Sequence, residues 1–175
     1  MDLESAVERL APELLRFCTG LTRDPAEGEE LAQEALVSLV RYWRAHGPPR
    51  SPAAFAYTVA RRQAYRWQRR LRRFLPIDLL EPSPHPAPGP ELSSMHRERL
   101  EETLRLLGRL SLHDREAILL AADPDMAVEE AAGVMGISPS AFKMRVHRAR
   151  QRLSCLMETD HEFRKTGRED LRARA

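Results

Sequence analysis

At 175 residues, with 28 Lys/Arg against 26 Asp/Glu and a net charge of +2, the chain can hold one ordinary domain or two small ones, and its total charge points to no particular partner. Aromatic residues make up only 6%, β-branched runs are absent and helical periodicities are long, which excludes a β-rich fold and predicts an all-α protein. Cys18 and Cys155 each fall on an apolar helical stripe and form neither a disulfide framework nor a metal spacing, and no secretory signal or membrane-length apolar run is present; buried free thiols in a reducing cytoplasm are expected.

Charge is unevenly distributed. Residues 1–34 carry nine acids and three bases, whereas residues 35–77 carry ten bases and no acid. Such separation predicts one surface for a protein partner and another for phosphates.

The first helix is predicted from about Asp2 to Leu21, with Leu3, Val7, Leu10, Leu14, Phe17 and Leu21 facing the core. Pro12 is expected to kink it or split it near Leu10. Asp24-Pro25-Ala26-Glu27 then supplies an N-cap, a first-position proline and an acidic partner. The second helix, Glu27 to roughly Ala45, aligns Leu31, Ala35, Leu39 and either Tyr42 or Trp43. Leu36 and Val40 widen this face, either to complete a three-helix core or to receive a partner helix; Glu30, Gln33, Glu34, Ser38 and Arg41 flank it.

His46–Arg50 forms a loop, and Ser51-Pro52 starts a third helix reaching about Phe74. Its stripe holds Ala53, Ala56, Tyr57, Ala60, Ala64, Trp67 and Leu71, and its outer surface Arg61, Arg62, Arg66, Arg69, Arg70, Arg72 and Arg73. Arginine beside Tyr57, Tyr65 and Trp67 can neutralise phosphates and stack on exposed bases. Core aromatics with merely solubilising arginines are the other reading, and the absence of acids from 35 to 77 favours DNA. From Leu75 to Ser94, alternating prolines at 82, 84, 86, 88 and 90 predict a semi-extended tether. Its reach is on the order of 50 Å.

Beyond the tether, a helix from Met95 to Leu110 is expected to turn Leu100, Leu104, Leu107 and Thr103 inward. Ser111 and Asp114 form a capping box for a helix from His113 to Ala122 with Ile118 and Leu119 inward, and Asp123-Pro124-Asp125 breaks the chain. Residues 128–152 then read as a helix-turn-helix. Val128, Ala131, Ala132 and Met135 align, Gly136 supplies the turn, and Ser138-Pro139 caps a second helix with Ala141, Phe142, Val146 and Ala149 inward. Lys143, Arg145, Arg148, Arg150 and Arg152 crowd its other side, with no acid between Glu130 and Glu158, the pattern of a helix that reads DNA. The charged tail 158–175 is expected to be disordered.

Two blocks, LTRDPAEGEELAQEALVSLVRYWR (21–44) and LSLHDREAILLAADPDMAVEEAAGVMGISPSAFKMRVHRARQRL (110–153), resemble bacterial sigma factors of the extracytoplasmic-function (ECF) group of the sigma-70 family. The resemblance covers the chain to about Met157 and implies two small helical domains. These are a three-to-four-helix bundle over 1–74 and a helix-turn-helix domain over 95–157, joined by the Pro-rich linker 75–94 and followed by the tail. It implies that Glu30, Leu31, Gln33, Glu34, Ser38 and Arg41 face core RNA polymerase. His46, Arg50, Arg61, Arg62, Tyr65, Arg66, Arg69 and Arg70 would meet and open minus-10 DNA. Ser138, Ser140, Ala141, Lys143, Arg145 and Arg148 would lie at the minus-35 element, with Lys143 and Arg145 on base edges.

The chain departs from the family pattern at Arg62 and Arg66, where Asn and Asp are common, at Ser111, where proline is common, and across Asp123–Met126; these departures bear on promoter specificity. The resemblance further implies promoter DNA and core RNA polymerase as partners and silencing by a separate, membrane-bound anti-sigma factor. No small-molecule substrate, cofactor or metal is expected. No Gly-rich phosphate loop, metal cluster or nucleophile–base pair suggests an enzyme. A sigma mimic that sequesters an anti-sigma factor would not need the two basic surfaces, and a dimeric helix-turn-helix repressor would not need the long linker.

Overall fold

A computed structural model describes the backbone of residues 2–74 and 94–173, and side chains as far as residue 159 apart from those of 72, 74 and 94. Seven helices and no strands occur among the described residues: α1 (Leu3–Thr22), α2 (Pro25–His46), α3 (Pro52–Phe74), α4 (Ser94–Gly108), α5 (Leu112–Leu120), α6 (Val128–Met135) and α7 (Pro139–Ala173).

Local chemistry sets most helix starts. Asp2 accepts from Ser5 N, Asp24 from Ala26 N and Glu27 N, Ser51 from Ala54 N, Ser111 from Asp114 N, and Ser138 from Ala141 N. Each side-chain oxygen satisfies a backbone donor that has no carbonyl one turn earlier. Pro25, Pro52 and Pro139 each occupy a first helical position, where a missing N–H costs nothing.

Pro12 does not split α1, which runs unbroken from Leu3 to Thr22. Pro12 is exposed, so the carbonyl one turn before it, which lacks its usual donor, can turn to water while Leu10, Leu14 and Phe17 hold the opposite side in the core. On α2, Leu31, Ala35 and Leu39 are buried with Trp43 half-buried, and Tyr42 is exposed. On α4, Thr103 is exposed and donates to Arg99 O at 2.8 Å, while Leu106 joins Leu104 and Leu107 inside; the inward placement of Thr103 is thus corrected. Its hydroxyl finds a partner one turn back without being buried. The tail expected to be disordered instead continues α7 to Ala173. Glu and Arg are good helix formers, and a single glycine, Gly167, interrupts them.

Helices α1, α2 and α3 pack on one another, α5, α6 and α7 form a second group, and α4 packs against α7. The two groups also meet, α1 against α5 and α3 against α6. One apolar cluster runs continuously from Leu10, Leu14, Phe17 and Tyr57 into Ala117, Leu120, Ala132 and Phe142. The separation expected from a proline tether is therefore not the arrangement of the chain alone. Apart, the two groups would each expose an apolar face that docking removes from water. The tether itself, 75–93, lies outside the described residues.

At the helix-turn-helix, Gly136 adopts φ +69° and ends α6, its N–H reaching Ala132 O and Gly133 O. A β-carbon at this φ is strained, so Gly136→Ala should lower stability by about 1–2 kcal/mol. The check is a reduced urea midpoint with an unchanged slope.

Candidate nucleic-acid interface

Three surfaces carry the residues singled out by sequence. On α2, Glu30, Gln33, Glu34 and Arg41 are exposed and Ser38 is half-exposed. Gln33 donates to Glu29 at 3.1 Å, and Glu34 accepts from Gln63 on α3 at 2.7 Å. Leu31 does not belong to this surface: it is 7% exposed and packs with Ala35 and Leu39, four and eight residues on along the same stripe. The apolar group that α2 offers to solvent is Val37, 47% exposed, one position off the flank read from sequence.

The second surface is α3 with the loop before it. His46, Arg50, Arg62, Arg66, Arg69 and Arg70 are exposed. Tyr42 stacks on His46 with ring centroids 4.8 Å apart and leans on Phe55 at the same separation, giving the loop an aromatic flank. Arg61 and Tyr65 behave differently. Both are half-buried against α5, where Arg61 Nε donates to Glu116 Oε1 and the Tyr65 hydroxyl donates to Glu116 Oε2 at 2.6 Å. The Tyr65 oxygen also lies 2.9 Å from His113 Nδ1; with its one proton given to Glu116, it accepts from that ring N–H. The Arg61 guanidinium covers the Tyr65 ring at 4.7 Å. Burial, then the bond to Glu116, pushes the Tyr65 phenol well above its ordinary range.

The third surface is the start of α7. Ser138, Ser140, Ala141, Lys143 and Arg148 are exposed and Arg145 is half-exposed. The expected inward placement of Ala141 is corrected: Phe142, Val146 and Ala149 are buried, and Ala141, about 100° away from Phe142 around the helix, faces outward. Lys143 and Arg145 leave the helix about 200° apart, so they do not present one shared face. Arg145 projects beside Ala141 and Arg148, whereas Lys143 lines the rim of a groove of about 330 Å³ with Phe142, Val146 and Arg150.

Sequence reasoning missed what joins these surfaces. Asp114, Arg115 and Glu116, three consecutive charges, are all buried. Arg115 donates to Leu107 O at 2.9 Å, Leu110 O at 3.2 Å and Leu21 O at 2.9 Å. These carbonyls lie at or just beyond the C-terminal ends of α4 and α1, where helix dipoles favour a cation. Burial, and then the nearby Arg23, lowers the Arg115 pKa to about 10. Asp114 binds Arg152 of α7. Asp123 completes the seam, accepting from the Tyr57 hydroxyl at 2.7 Å and from Asp125 N at 2.9 Å. The one signal in the sequence was the run Asp114-Arg115-Glu116 itself, too polar for a helix only nine residues long with leucines on both flanks.

Among the described residues no group of three or more His, Cys, Asp or Glu could hold a metal ion. No described helix is long and apolar enough to cross a membrane.

Comparison with known proteins places this geometry. Residues 6–74 match the family described as sigma-70 region 2, and residues 100–153 match sigma-70 region 4. The ECF RNA polymerase sigma factor ShbA of Streptomyces griseus is 30% identical over 168 residues, covering 90% of this chain and 86% of ShbA. The RNA polymerase sigma factor CnrH of Cupriavidus metallidurans is 37% identical over 108 residues, 58% of this chain and 56% of CnrH. Among solved structures, the sigma factor RpoE of Bartonella quintana, in complex with the anti-sigma factor NepR, superimposes with a TM-score of 0.72 at 25% identity. That match covers 90% of this chain and 97% of RpoE.

Tyr57→Phe keeps the edge-on packing against Phe17 (5.0 Å between ring centroids, 90°) but leaves the buried Asp123 carboxylate short of a donor. We expect a stability loss of about 1–3 kcal/mol by urea denaturation, with helicity by circular dichroism unchanged.

Proposed function

The chain belongs to the ECF sigma factors of the sigma-70 family, and from this we propose how its surfaces divide the work of transcription initiation between core RNA polymerase and promoter DNA. As a sigma factor it directs initiation by the polymerase it binds, a regulatory rather than a catalytic role.

Residues 1–74 form the domain that binds core polymerase and opens the minus-10 element; 95–157 form the minus-35 reader, joined to it by 75–94, and α7 extends beyond it as far as Ala173. The polymerase-facing surface is the exposed flank of α2, Glu30, Gln33, Glu34, Ser38 and Arg41, with Val37 as its apolar centre; the buried Leu31 is no part of it. Its partly acidic face suits a basic or amphipathic partner helix, and an exposed valine among polar groups gives that contact an apolar anchor.

His46, Arg50, Arg62, Arg66, Arg69 and Arg70 face minus-10 DNA, with Arg61 and Tyr65 joining them once they are released from α5. Melting needs capture of unpaired bases, for which Arg61 over Tyr65 supplies charge and the Tyr42–His46 stack an aromatic surface. At minus-35, Ser138, Ser140 and Ala141 sit at the capped N-terminus of α7, which can approach a phosphate or a groove edge closely. Arg145 and Lys143 read base edges from opposite sides of α7, about 200° apart, and Arg148 holds phosphate. The observation that carries this assignment is the outward display of Ser138, Ser140, Ala141 and Arg148 on the second helix of a helix-turn-helix that has no acid from 131 to 157.

Two similar proteins were solved bound to anti-sigma partners, RpoE with NepR and CnrH with the cytosolic domain of CnrY. An anti-sigma partner, membrane-bound and displaced by the inducing signal, is accordingly part of the proposed control. A cytoplasmic site of action follows from the polymerase it serves.

Run-off transcription with purified core polymerase across a genomic fragment library should yield discrete start sites that depend on this chain. Lys143→Glu with Arg145→Glu should reduce output from those promoters by about a hundredfold or more, since each base-reading contact discriminates by about 1–3 kcal/mol. Co-elution with core polymerase should be unchanged. Full output from the double variant would remove the minus-35 assignment.

A further inference from the structure

Glu116 has no exposed surface, yet both of its oxygens are committed to α3: Oε1 accepts from Arg61 and Oε2 from Tyr65. A carboxylate held by an arginine and a tyrosine hydroxyl reproduces the bonding that a backbone phosphate would offer the same two side chains. With α5 docked, the carboxylate and the helix behind it fill the space that nucleic acid would need there.

We propose that α5 is an intramolecular latch, in which Glu116 holds Arg61 and Tyr65 as a phosphate substitute and keeps nucleic acid from this part of α3 until the two helix groups separate. This rests on the reading of Arg61 and Tyr65 as minus-10 contacts. The other exposed arginines of α3 remain accessible in the closed chain, so the latch blocks a part of the surface and not the whole.

The seam has the character of a reversible one. A buried ion pair gains little net stability, because desolvating both charges offsets their attraction; separated, Glu116 and Arg61 simply return to water. Around this pair the seam is apolar and closely packed. Gly20 of α1 lies against Leu119 of α5, so closely that a β-carbon on Gly20 would stand 2.6 Å from Leu119 Cδ2. Arg115 reaches across to Leu21 O, and Tyr57 to Asp123. These contacts add to the shared apolar cluster, and each is open to mutation without touching the promoter-facing arginines.

The test measures polymerase-free binding of the full chain to fluorescein-labelled single-stranded DNA of mixed sequence by anisotropy, with small-angle X-ray scattering on the same samples. Glu116→Gln removes the charge that mimics phosphate. Gly20→Glu opens the seam from the opposite side by placing a charged side chain against Leu119. Because it adds negative charge, any gain in DNA binding cannot come from nonspecific attraction. Both variants are expected to show a larger radius of gyration and an affinity raised by about tenfold, as for a binding-competent state freed from a roughly 10:1 closed preference. Arg61→Ala in the Gly20→Glu background should cancel the gain.

An unchanged radius and affinity in both variants, or a larger radius with no gain in affinity, overturns the latch. A gain that survives Arg61→Ala overturns the assignment of Arg61 to DNA, and the latch with it.

Discussion

Three consecutive charges on α5 hold this chain together, and each reaches a different element. Asp114 binds Arg152 of α7, Arg115 reaches carbonyls at the ends of α1 and α4, and Glu116 binds Arg61 and Tyr65 of α3. Buried charges are costly unless fully partnered, so the docked arrangement exists only where all three sets of partners converge. That requirement explains how a nine-residue helix carrying three consecutive charges sits at the centre of the molecule. The apolar cluster around it supplies most of the driving force, whereas the charges, each needing its own partner, favour this docking geometry.

The same helix links packing to function. Polymerase, minus-10 DNA and minus-35 DNA are assigned to separate helices, α2, α3 and α7, yet α5 touches both helices that are assigned to DNA. On the assignments proposed above, bridging two promoter elements calls for the two helix groups to part. Separation must expose apolar surface and rehydrate Glu116 and Arg115, and binding to the polymerase has to offset that cost. On this view the polymerase does more than carry the sigma factor to a promoter; its binding supplies the free energy that opens the chain.

Much of this architecture was legible in local chemistry. The caps at Asp24, Ser51, Ser111 and Ser138, the first-position prolines and the Gly136 turn act within a few residues and form as read, but the acidic partners do not return the bond: Asp24 N–H goes to Thr22 Oγ1 and the Asp114 carboxylate to Arg152. Single positions on helix faces were less secure. Leu31 and Ala141 were each assigned outward and inward roles at once, and only the packing partners decided that Leu31 is core and Ala141 is surface. The split allowed for at Pro12 does not occur, because the cost of an interior proline falls when the orphaned carbonyl faces water. The tail was misjudged because charge was weighed above helix propensity. What no local rule could reveal was the burial of Asp114-Arg115-Glu116. Their partners lie up to 94 residues away, and a charged run reads as solvent-facing until those partners are in place.

The central claim is that α5 covers Arg61 and Tyr65 in the free chain and leaves them when polymerase binds. Electron-spin distance measurement between labels at Arg62→Cys on α3 and Ala122→Cys just after α5 addresses it directly. Both positions are exposed. Cys155, expected buried, is exposed, and Cys155→Ser removes its thiol; Cys18, buried as expected with its pKa pushed up to about 12, stays unlabelled. The account predicts a single narrow distance in the free chain and a longer one when core polymerase is added. A broad, long distribution in the free chain, or a distance that polymerase leaves unchanged, would contradict it.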